Sequence, residues 1–300
     1  MSILNRPSDG LFNMVVVLHK TLLYEGPMNR DKLLALVAPA SVSEDRKMAS
    51  NSLNRWTDLG LFEESDGNVR ISSTVPAPRE KAKAEATLPS TMRRLVMAQE
   101  NNANFWDAEG SASADFTRAV AWMLAQDVYR CAFVANHEAE DVENPQLGEE
   151  SRSLFRNNTR WNGFKAWAPF LGFGTLGRYP RADAFQIDPT VAVRDSADAV
   201  FAATDQLAIG DFMSLLAETL PVVDGGHYRR EVESQLNPRY WEPAKEGEIS
   251  TSLSRALIRL REAGLLRLEN RSDSPARMEL LLQGKRKLAV THVIRERATS

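Results

Sequence analysis

The stretch 41–71 constrains the fold of this chain most strongly, because it predicts a helix that leads directly into a β-hairpin. Ser41 precedes Glu44 by three residues, the spacing of a capping box, and this predicts that a helix begins here. Gly60 should end that helix, since glycine adopts the left-handed cap conformation at little cost. The Asp-Gly-Asn sequence at 66–68 then predicts the turn of a hairpin.

The predicted helix has two distinct faces. Residues at three- and four-residue intervals predict a buried stripe of Met48, Ser52, Leu53, Trp56 and Leu59. The opposite face carries side chains suited to phosphates and base edges, because Arg pairs bidentately with guanine and Asn with adenine. These candidate DNA-binding residues are Arg46, Lys47, Asn51, Asn54 and Arg55. Acidic residues in the same stretch would repel phosphate, so a protein-binding surface is the alternative interpretation.

Two further helices are predicted upstream of this stretch. Leu11–Tyr24 is strongly apolar and ends at a Gly-Pro pair, and Met28–Val37 follows with Asn29 as its cap. Three helices followed by a hairpin resemble the winged helix-turn-helix superfamily, whose recognition helix enters the major groove of DNA.

A second helix of the same type is predicted near the carboxyl end. Residues 249–268 align with the first helix so that Leu53 matches Leu257 and Gly60 matches Gly264. Ser250 or Thr251 supplies a cap in this alignment. The side chains predicted to face outward as DNA contacts are Ser252, Arg255 and Arg259.

The residues after the second helix predict a second, more basic wing. Apolar and polar side chains alternate over 266–282 around a tip at 272–275, with Arg271 and Arg277 beside it as DNA contacts. Lys285, Arg286 and Lys287 are predicted to open a carboxyl-terminal helix and to extend the same contact surface. The alternative is a dimerisation or docking module with a solvated basic face.

Charge is distributed unevenly along the chain. The formal net charge is −3, yet residues 250–300 hold eleven basic and five acidic side chains. Residues 1–75 hold eight basic and nine acidic side chains, so the middle of the chain is strongly acidic. The basic carboxyl end is a local electrostatic footprint for a polyanion.

Between the two predicted modules lie a linker and a helical domain. The predicted division is an amino-terminal winged helix at 1–75, a linker at 76–90, a middle domain at 91–204 and a carboxyl-terminal winged helix at 205–300. The acidic stretch 137–150 is predicted to be an exposed loop because it contains few apolar residues.

Aromatic and basic residues alternate over 154–179, a pattern that suits either base stacking or a helical core. Trp161, Phe164, Trp167 and Leu171 recur at helical intervals, which favours the core. The predicted fold is therefore mainly α-helical with small β-wings, and two winged helix-turn-helix modules flank a helical middle domain.

No motif for catalysis or cofactor binding occurs. The four histidines are scattered, the single Cys131 has no partner cysteine, and nucleotide-binding and nucleophile-elbow motifs are absent from the sequence. Paired acids such as Asp183 and Asp188 match no metal-binding motif. We therefore expect no cofactor, no metal, no catalytic residue and no membrane span, and the lone cysteine fits a cytoplasmic protein.

The amino-terminal residues 4–12, Leu-Asn-Arg-Pro-Ser-Asp-Gly-Leu-Phe, and the Gly-Pro-Met turn at 26–28 resemble DpdG-type proteins. These proteins belong to bacterial islands that place deazaguanine in DNA and restrict foreign DNA. The resemblance implies a subunit of a DNA-modification and anti-phage defence assembly, and it carries over no catalytic residue.

The predicted function is therefore non-catalytic binding of double-stranded DNA, in a recognition or regulatory role beside other subunits. A homodimer is the expectation from fold analogy. The alternatives are a protein-interaction adaptor, a transcriptional regulator and a nuclease accessory enzyme with a metal site in the middle domain.

Overall fold

The computed structural model describes residues 3–4, 11–39, 41, 43–76, 78–106, 112–148, 153–177, 183–272, 274 and 276–296, without the side chains of 43–45. The Glu44 side chain of the predicted capping box, residues 5–10 of the amino-terminal motif and two residues of the predicted second wing tip, Asp273 and Pro275, lie outside this description.

The described residues form mainly α-helices with small β-sheets, as the sequence predicts. The helices are α1 (Phe12–Glu25), α2 (Arg30–Val37), α3 (Ser43–Asp58), α4 (Lys81–Ala86), α5 (Leu88–Val96), α6 (Ala114–Ala125), α7 (Asn136–Leu147), α8 (Asn158–Phe170), α9 (Thr190–Asp195), α10 (Ala197–Val200), α11 (Ile209–Thr219), α12 (His227–Glu233) and α13 (Thr251–Glu262). The strands are β1 (Met28–Asn29), β2 (Phe62–Ser65), β3 (Asn68–Ile71), β4 (Gly174–Gly177), β5 (Ala184–Ile187), β6 (Gln206–Ala208), β7 (Glu248–Ile249), β8 (Leu266–Glu269), β9 (Met278–Leu281), β10 (Lys287–Val290) and β11 (His292–Arg295).

The chain divides into two compact units. The first contains residues 1–116 and 159–171, and the second contains 117–158 and 172–300. The predicted middle segment 91–204 contributes to both units.

The first unit begins with three helices and a three-stranded sheet. α3 ends just before Gly60, whose φ of 92° provides the left-handed conformation that the sequence predicts. β2 and β3 form the predicted antiparallel hairpin, and the left-handed Asp66 and Gly67 make its two-residue turn. β3 lies between β1 and β2 in the sheet.

Helix α8 supplies the aromatic core of the first unit. Trp161, Phe164 and Trp167 are buried, which confirms the core interpretation of this aromatic segment. Trp167 lies 5.6 Å from the ring of Trp56 in α3, and Phe12 of α1 stacks on Phe170 at 4.4 Å. These contacts fix the buried faces of α1 and α3 against α8.

In the second unit, the acidic stretch predicted as an exposed loop is helix α7, and that prediction is wrong. Glu143 and Gln146 are buried there. Glu143 accepts hydrogen bonds from the hydroxyl of Ser153 at 2.5 Å and the backbone N–H of Leu154 at 2.8 Å. Gln146 accepts a hydrogen bond from the indole N–H of Trp122 at 2.8 Å. Hydropathy missed the burial because the buried side chains are polar.

The carboxyl-terminal part of the second unit contains a three-stranded sheet in the order β6, β11, β8. α11 follows β6 directly, and α13 precedes β8. The strand that comes last in the sequence is therefore central, as β3 is in the first unit. A second sheet in the order β10, β9, β7 is inserted into this arrangement.

Two predictions for the carboxyl end are wrong. β8 does not pair with β9 as the predicted wing requires, because β11 is its antiparallel partner and β9 pairs with β10. The predicted helix opened by Lys285, Arg286 and Lys287 is a short 3₁₀ turn over Gln283–Lys285 followed by a strand. Left-handed φ values at Gly284 (73°) and Lys285 (62°) close this hairpin loop instead of continuing a helix.

Candidate nucleic-acid interface

Helix α3 carries a solvent-facing polar surface in the first unit. Its apolar face holds it in place, because Ala49, Leu53 and Trp56 are buried. Lys47 and Asn54 are exposed on the other side, and Arg46 and Asn51 are half-buried. These four predicted DNA contacts therefore lie on one helix with at least part of each side chain accessible.

Arg30 links the polar surface of α3 to the hairpin. Its guanidinium donates hydrogen bonds to Asn54 at 2.5 Å and Ser50 at 3.2 Å, and it forms an ion pair with Glu64 of β2 at 2.7 Å. Sequence reasoning missed Arg30. The available signal was its position directly after the cap residue Asn29, whose side chain accepts a hydrogen bond from the N–H of Asp31.

Acidic residues border the same surface. Arg46 lies 3.9 Å from a carboxylate oxygen of Asp31, and Glu64 is paired with Arg30. Lys47 forms no ion pair with any residue that the structure describes. Among the described side chains of this surface, Lys47 is therefore the cation without an acidic partner.

Arg55 does not belong to the exposed surface, and its predicted outward position is wrong. The residue is only 7% exposed. Helical geometry explains this, because Arg55 lies three residues after the buried Ser52 and four before the buried Leu59. The buried face of α3 therefore also includes Arg55.

The first turn of α13 is covered by the end of α6. Ser252 is 2% exposed, and its hydroxyl donates a hydrogen bond to the carbonyl oxygen of Leu124 at 2.7 Å. The neighbouring Thr251 hydroxyl accepts a hydrogen bond from the N–H of Val128 at 3.1 Å. The prediction that Ser252 faces outward is therefore wrong.

Arg255 and Arg259 of α13 are held by the segment that joins β5 to α9. Arg255 donates a hydrogen bond to Gln186 at 2.9 Å, and Arg259 forms an ion pair with the buried carboxylate of Asp188. Burial, followed by the nearby charge of Arg259, lowers the pKa of Arg255. The helical phase predicted from the sequence is correct for these arginines, but their face packs on another part of the same unit.

Arg271 and Arg277 are each paired with an acid. Arg271 contacts Glu269 at 2.6 Å and donates a hydrogen bond to Gln206 at 2.9 Å. Arg277, which directly precedes β9, lies 3.5 Å from Glu279 of that strand. Both arginines remain partly exposed, so they can exchange these partners for phosphate oxygens at modest cost.

The basic triplet Lys285–Lys287 lies at the tip of the hairpin formed by β9 and β10. Lys287 pairs with Glu248 at 2.6 Å and Glu279 at 2.9 Å, and its hydrogen bonds to these two acids raise its pKa. Lys285 and Arg286 are exposed, and neither forms an ion pair within the described part of the chain. The accessible predicted DNA contacts thus lie on the α3 surface, on the partly covered α13 face, at Arg271 and Arg277 beside β8 and β9, and at this hairpin tip.

The described residues contain neither a candidate cluster of metal ligands nor a helix that could cross a membrane. No cluster of three or more histidine, cysteine or acidic side chains among them is arranged to hold a metal ion. Likewise, none of the described helices is long and apolar enough to span a bilayer. Burial raises the pKa of Cys131 to about 11, so its thiol is protonated and poorly nucleophilic at neutral pH.

The comparisons with known proteins identify a family. No curated protein and no solved structure is significantly similar to the chain. A family model described as DpdG-like matches residues 1–274. The resemblance found in the amino-terminal sequence is confirmed at this level. Because the match extends over most of the sequence, the chain belongs to the DpdG-like family.

Proposed function

We propose that this chain is a non-catalytic DNA-binding subunit with a recognition or regulatory role in a DNA-modification and anti-phage defence assembly. Its membership of the DpdG-like family supports a role in a DNA-modification system. The observation that carries DNA binding is the α3 surface, where a lysine without an ion pair to a described residue lies beside two asparagines. Partner subunits of such an assembly and a second copy of the chain are further proposed partners.

The first module is proposed to be a winged helix. Its elements follow the order α1, β1, α2, α3, β2, β3, with β3 central in the sheet. In such a fold the recognition helix enters the major groove. α3 then contacts the duplex through Arg46, Lys47, Asn51 and Asn54. The hairpin β2–β3 lies beside the sugar-phosphate backbone of the DNA.

The second module is proposed to be a winged helix with two insertions. The order β6, α11, α13, β8, β11, with β11 central, repeats that of the first module. α12 and β7 are inserted before α13, and β9 and β10 are inserted before β11. Because α6 covers the first turn of α13 and the β5–α9 segment binds Arg255 and Arg259, we assign duplex reading to the first module and a mainly structural role to the second.

A protein-interaction adaptor is the second candidate. The observation that favours it is the presence of Asp31 and Glu64 at the edge of the α3 surface, since acids repel phosphate. A partner protein with complementary charges would tolerate these acids better than DNA would.

Salt-dependent binding of a labelled duplex tests the proposal. We expect Arg46→Glu/Lys47→Glu to weaken binding at least tenfold. If each side chain contacts one phosphate, the variant should also reduce the salt slope by about 1.8. The matched control, Lys83→Glu/Arg239→Glu, reverses two exposed cations elsewhere and should bind like the native chain. Absence of binding at low salt would favour the adaptor, and unchanged binding in the α3 variant would exclude this surface.

A further inference from the structure

A large groove opens in the second unit, and neither Arg255 nor Arg259 of α13 lines it. Its volume is about 710 Å³. The walls are the end of α6 with the turn that follows it (125–130), the segment 242–251 and the hairpin tip 281–287. A concave site of this volume lies within the range of small-ligand sites and suits a flexible chain or a single nucleotide better than a rigid duplex.

The groove has an excess of positive charge. Six basic and three acidic side chains line it. Arg130 and Lys287 are paired with lining acids. Lys245, Lys285 and Arg286 are exposed, and none of them forms an ion pair with a described residue. Lys245 interacts electrostatically with Glu248, which leaves Lys285 and Arg286 as the groove cations with no acidic partner among the described residues. The excess of cations along one concave surface focuses a positive potential into it.

A buried arginine supports the groove wall. Arg229 is 3% exposed and lines the groove. Its Nε donates a hydrogen bond to Glu233 at 2.5 Å. Its Nη1 lies 3.6 Å from the nearest oxygen of Asp224. The guanidinium is therefore paired with two carboxylates, and it stabilises the wall of the groove rather than contacting a ligand.

Tyr129 supplies an aromatic surface beside these cations. The residue is half-buried in the turn after α6 and lines the same groove. Aromatic rings next to basic side chains are the usual means of binding single-stranded nucleic acid, because bases stack on the ring while cations contact the phosphates.

We infer that this groove binds nucleotides, with the base stacked on Tyr129 and the phosphate held by Lys285, Arg286 and Lys245. The ligand chemistry is a nucleoside phosphate, present either as a free nucleotide or as a unit of a single strand. The inference does not depend on duplex binding by α3, because the groove lies wholly in the second unit. It would allow a chain that binds duplex DNA also to hold a displaced strand or a nucleotide.

The test measures binding of a fluorescein-labelled 12-nucleotide oligothymidylate by the full chain, with unlabelled thymidine monophosphate as competitor. Lys245→Glu/Arg286→Glu should weaken oligonucleotide binding at least tenfold, and Tyr129→Leu should weaken it about fivefold or more. The control variant Lys83→Glu/Arg239→Glu should stay within twofold of the native chain. Competition by the monophosphate at micromolar concentration would identify a free nucleotide as the ligand, and its failure to compete would identify a single strand.

Absence of oligonucleotide binding, together with absence of direct monophosphate binding by calorimetry, would overturn the inference. Unchanged affinity in Lys245→Glu/Arg286→Glu would also overturn it, and Lys285→Glu provides an independent variant at the hairpin tip. Duplex binding by Arg46→Glu/Lys47→Glu is measured in parallel. Loss of duplex binding there, with oligonucleotide binding intact, would leave both proposals standing as separate sites.

Discussion

The two helix-and-sheet modules share a strand order but differ in what covers their equivalent helices. In the first module the polar face of α3 reaches solvent, and Lys47 and Asn54 are exposed on it. In the second module the same face of α13 binds Gln186 and Asp188 of its own unit. One arrangement of elements can therefore present a helix to a ligand or use that helix as part of a core, and residues distant in sequence decide which.

The inner faces of the two helices provide the largest expected effects. Leu53 of α3 and Leu257 of α13 are each fully buried. We expect Leu53→Ala and Leu257→Ala each to lower the free energy of unfolding by about 2–5 kcal/mol, because each leaves a cavity. Denaturant unfolding measures this loss. Leu36→Ala, at an exposed position, is the control, and a loss below about 1 kcal/mol in either core variant would contradict the shared inner face.

The outer face of α13 provides the next effect. Arg259→Glu should lower the free energy of unfolding by about 3 kcal/mol, because it removes the partner of a buried carboxylate and adds a like charge. Arg261→Glu on the same helix, and Lys47→Glu on α3, should each change it by less than about 0.5 kcal/mol. Equal stability of Arg259→Glu and Arg261→Glu in urea unfolding would show that the ion pair with Asp188 is not structural.

The two units should respond to pH in opposite directions. Burial raises the pKa of Glu143 in the second unit from 4.5 to about 7, so its contribution to stability is present below pH 4.5 and is lost as pH rises through 7. Burial lowers the pKa of His19 in the first unit from 6.5 to about 4, so its contribution is present above pH 6.5 and is lost as pH falls toward 4. Each contribution is at most about 3.4 kcal/mol.

Single variants separate these two contributions. The unfolding free energy of the native chain minus that of Glu143→Gln should decrease as the pH is raised from 4.5 to 7. The unfolding free energy of the native chain minus that of His19→Leu should increase as the pH is raised from 4 to 6.5. Parallel pH profiles in the native chain and either variant would contradict the assigned pKa shift for that residue.

Local sequence signals predicted the first module well. The glycine stop of α3 and the Asp-Gly turn of the hairpin depend on backbone conformations that few residues adopt, and both are where the sequence predicts them. Pairing of β2 with β3 needs only a two-residue turn, so the partner of each strand is also local.

Long-range choices account for the predictions that failed. The alternation after α13 identified β8 and β9 as strands, but nothing in their sequence shows that β8 pairs with β11 across an insertion. Helical phase likewise grouped Arg255 with Arg259 correctly. It did not reveal that Asp188 would lie opposite them, 71 residues earlier in the chain. Burial of Glu143 escaped detection because its hydrogen-bond donors, Ser153 and Leu154, lie beyond the end of its own helix and no local pattern pairs them with it.

Acetylation footprinting of the lysines, with and without a saturating DNA duplex, tests most directly whether α3 is the duplex-binding helix. Acetic anhydride modifies accessible ammonium groups, and mass spectrometry reports the rate for each lysine. We expect the duplex to slow modification of Lys47 at least fivefold and to leave the exposed Lys83 unchanged. Unchanged reactivity of Lys47 while the duplex is bound would contradict the account.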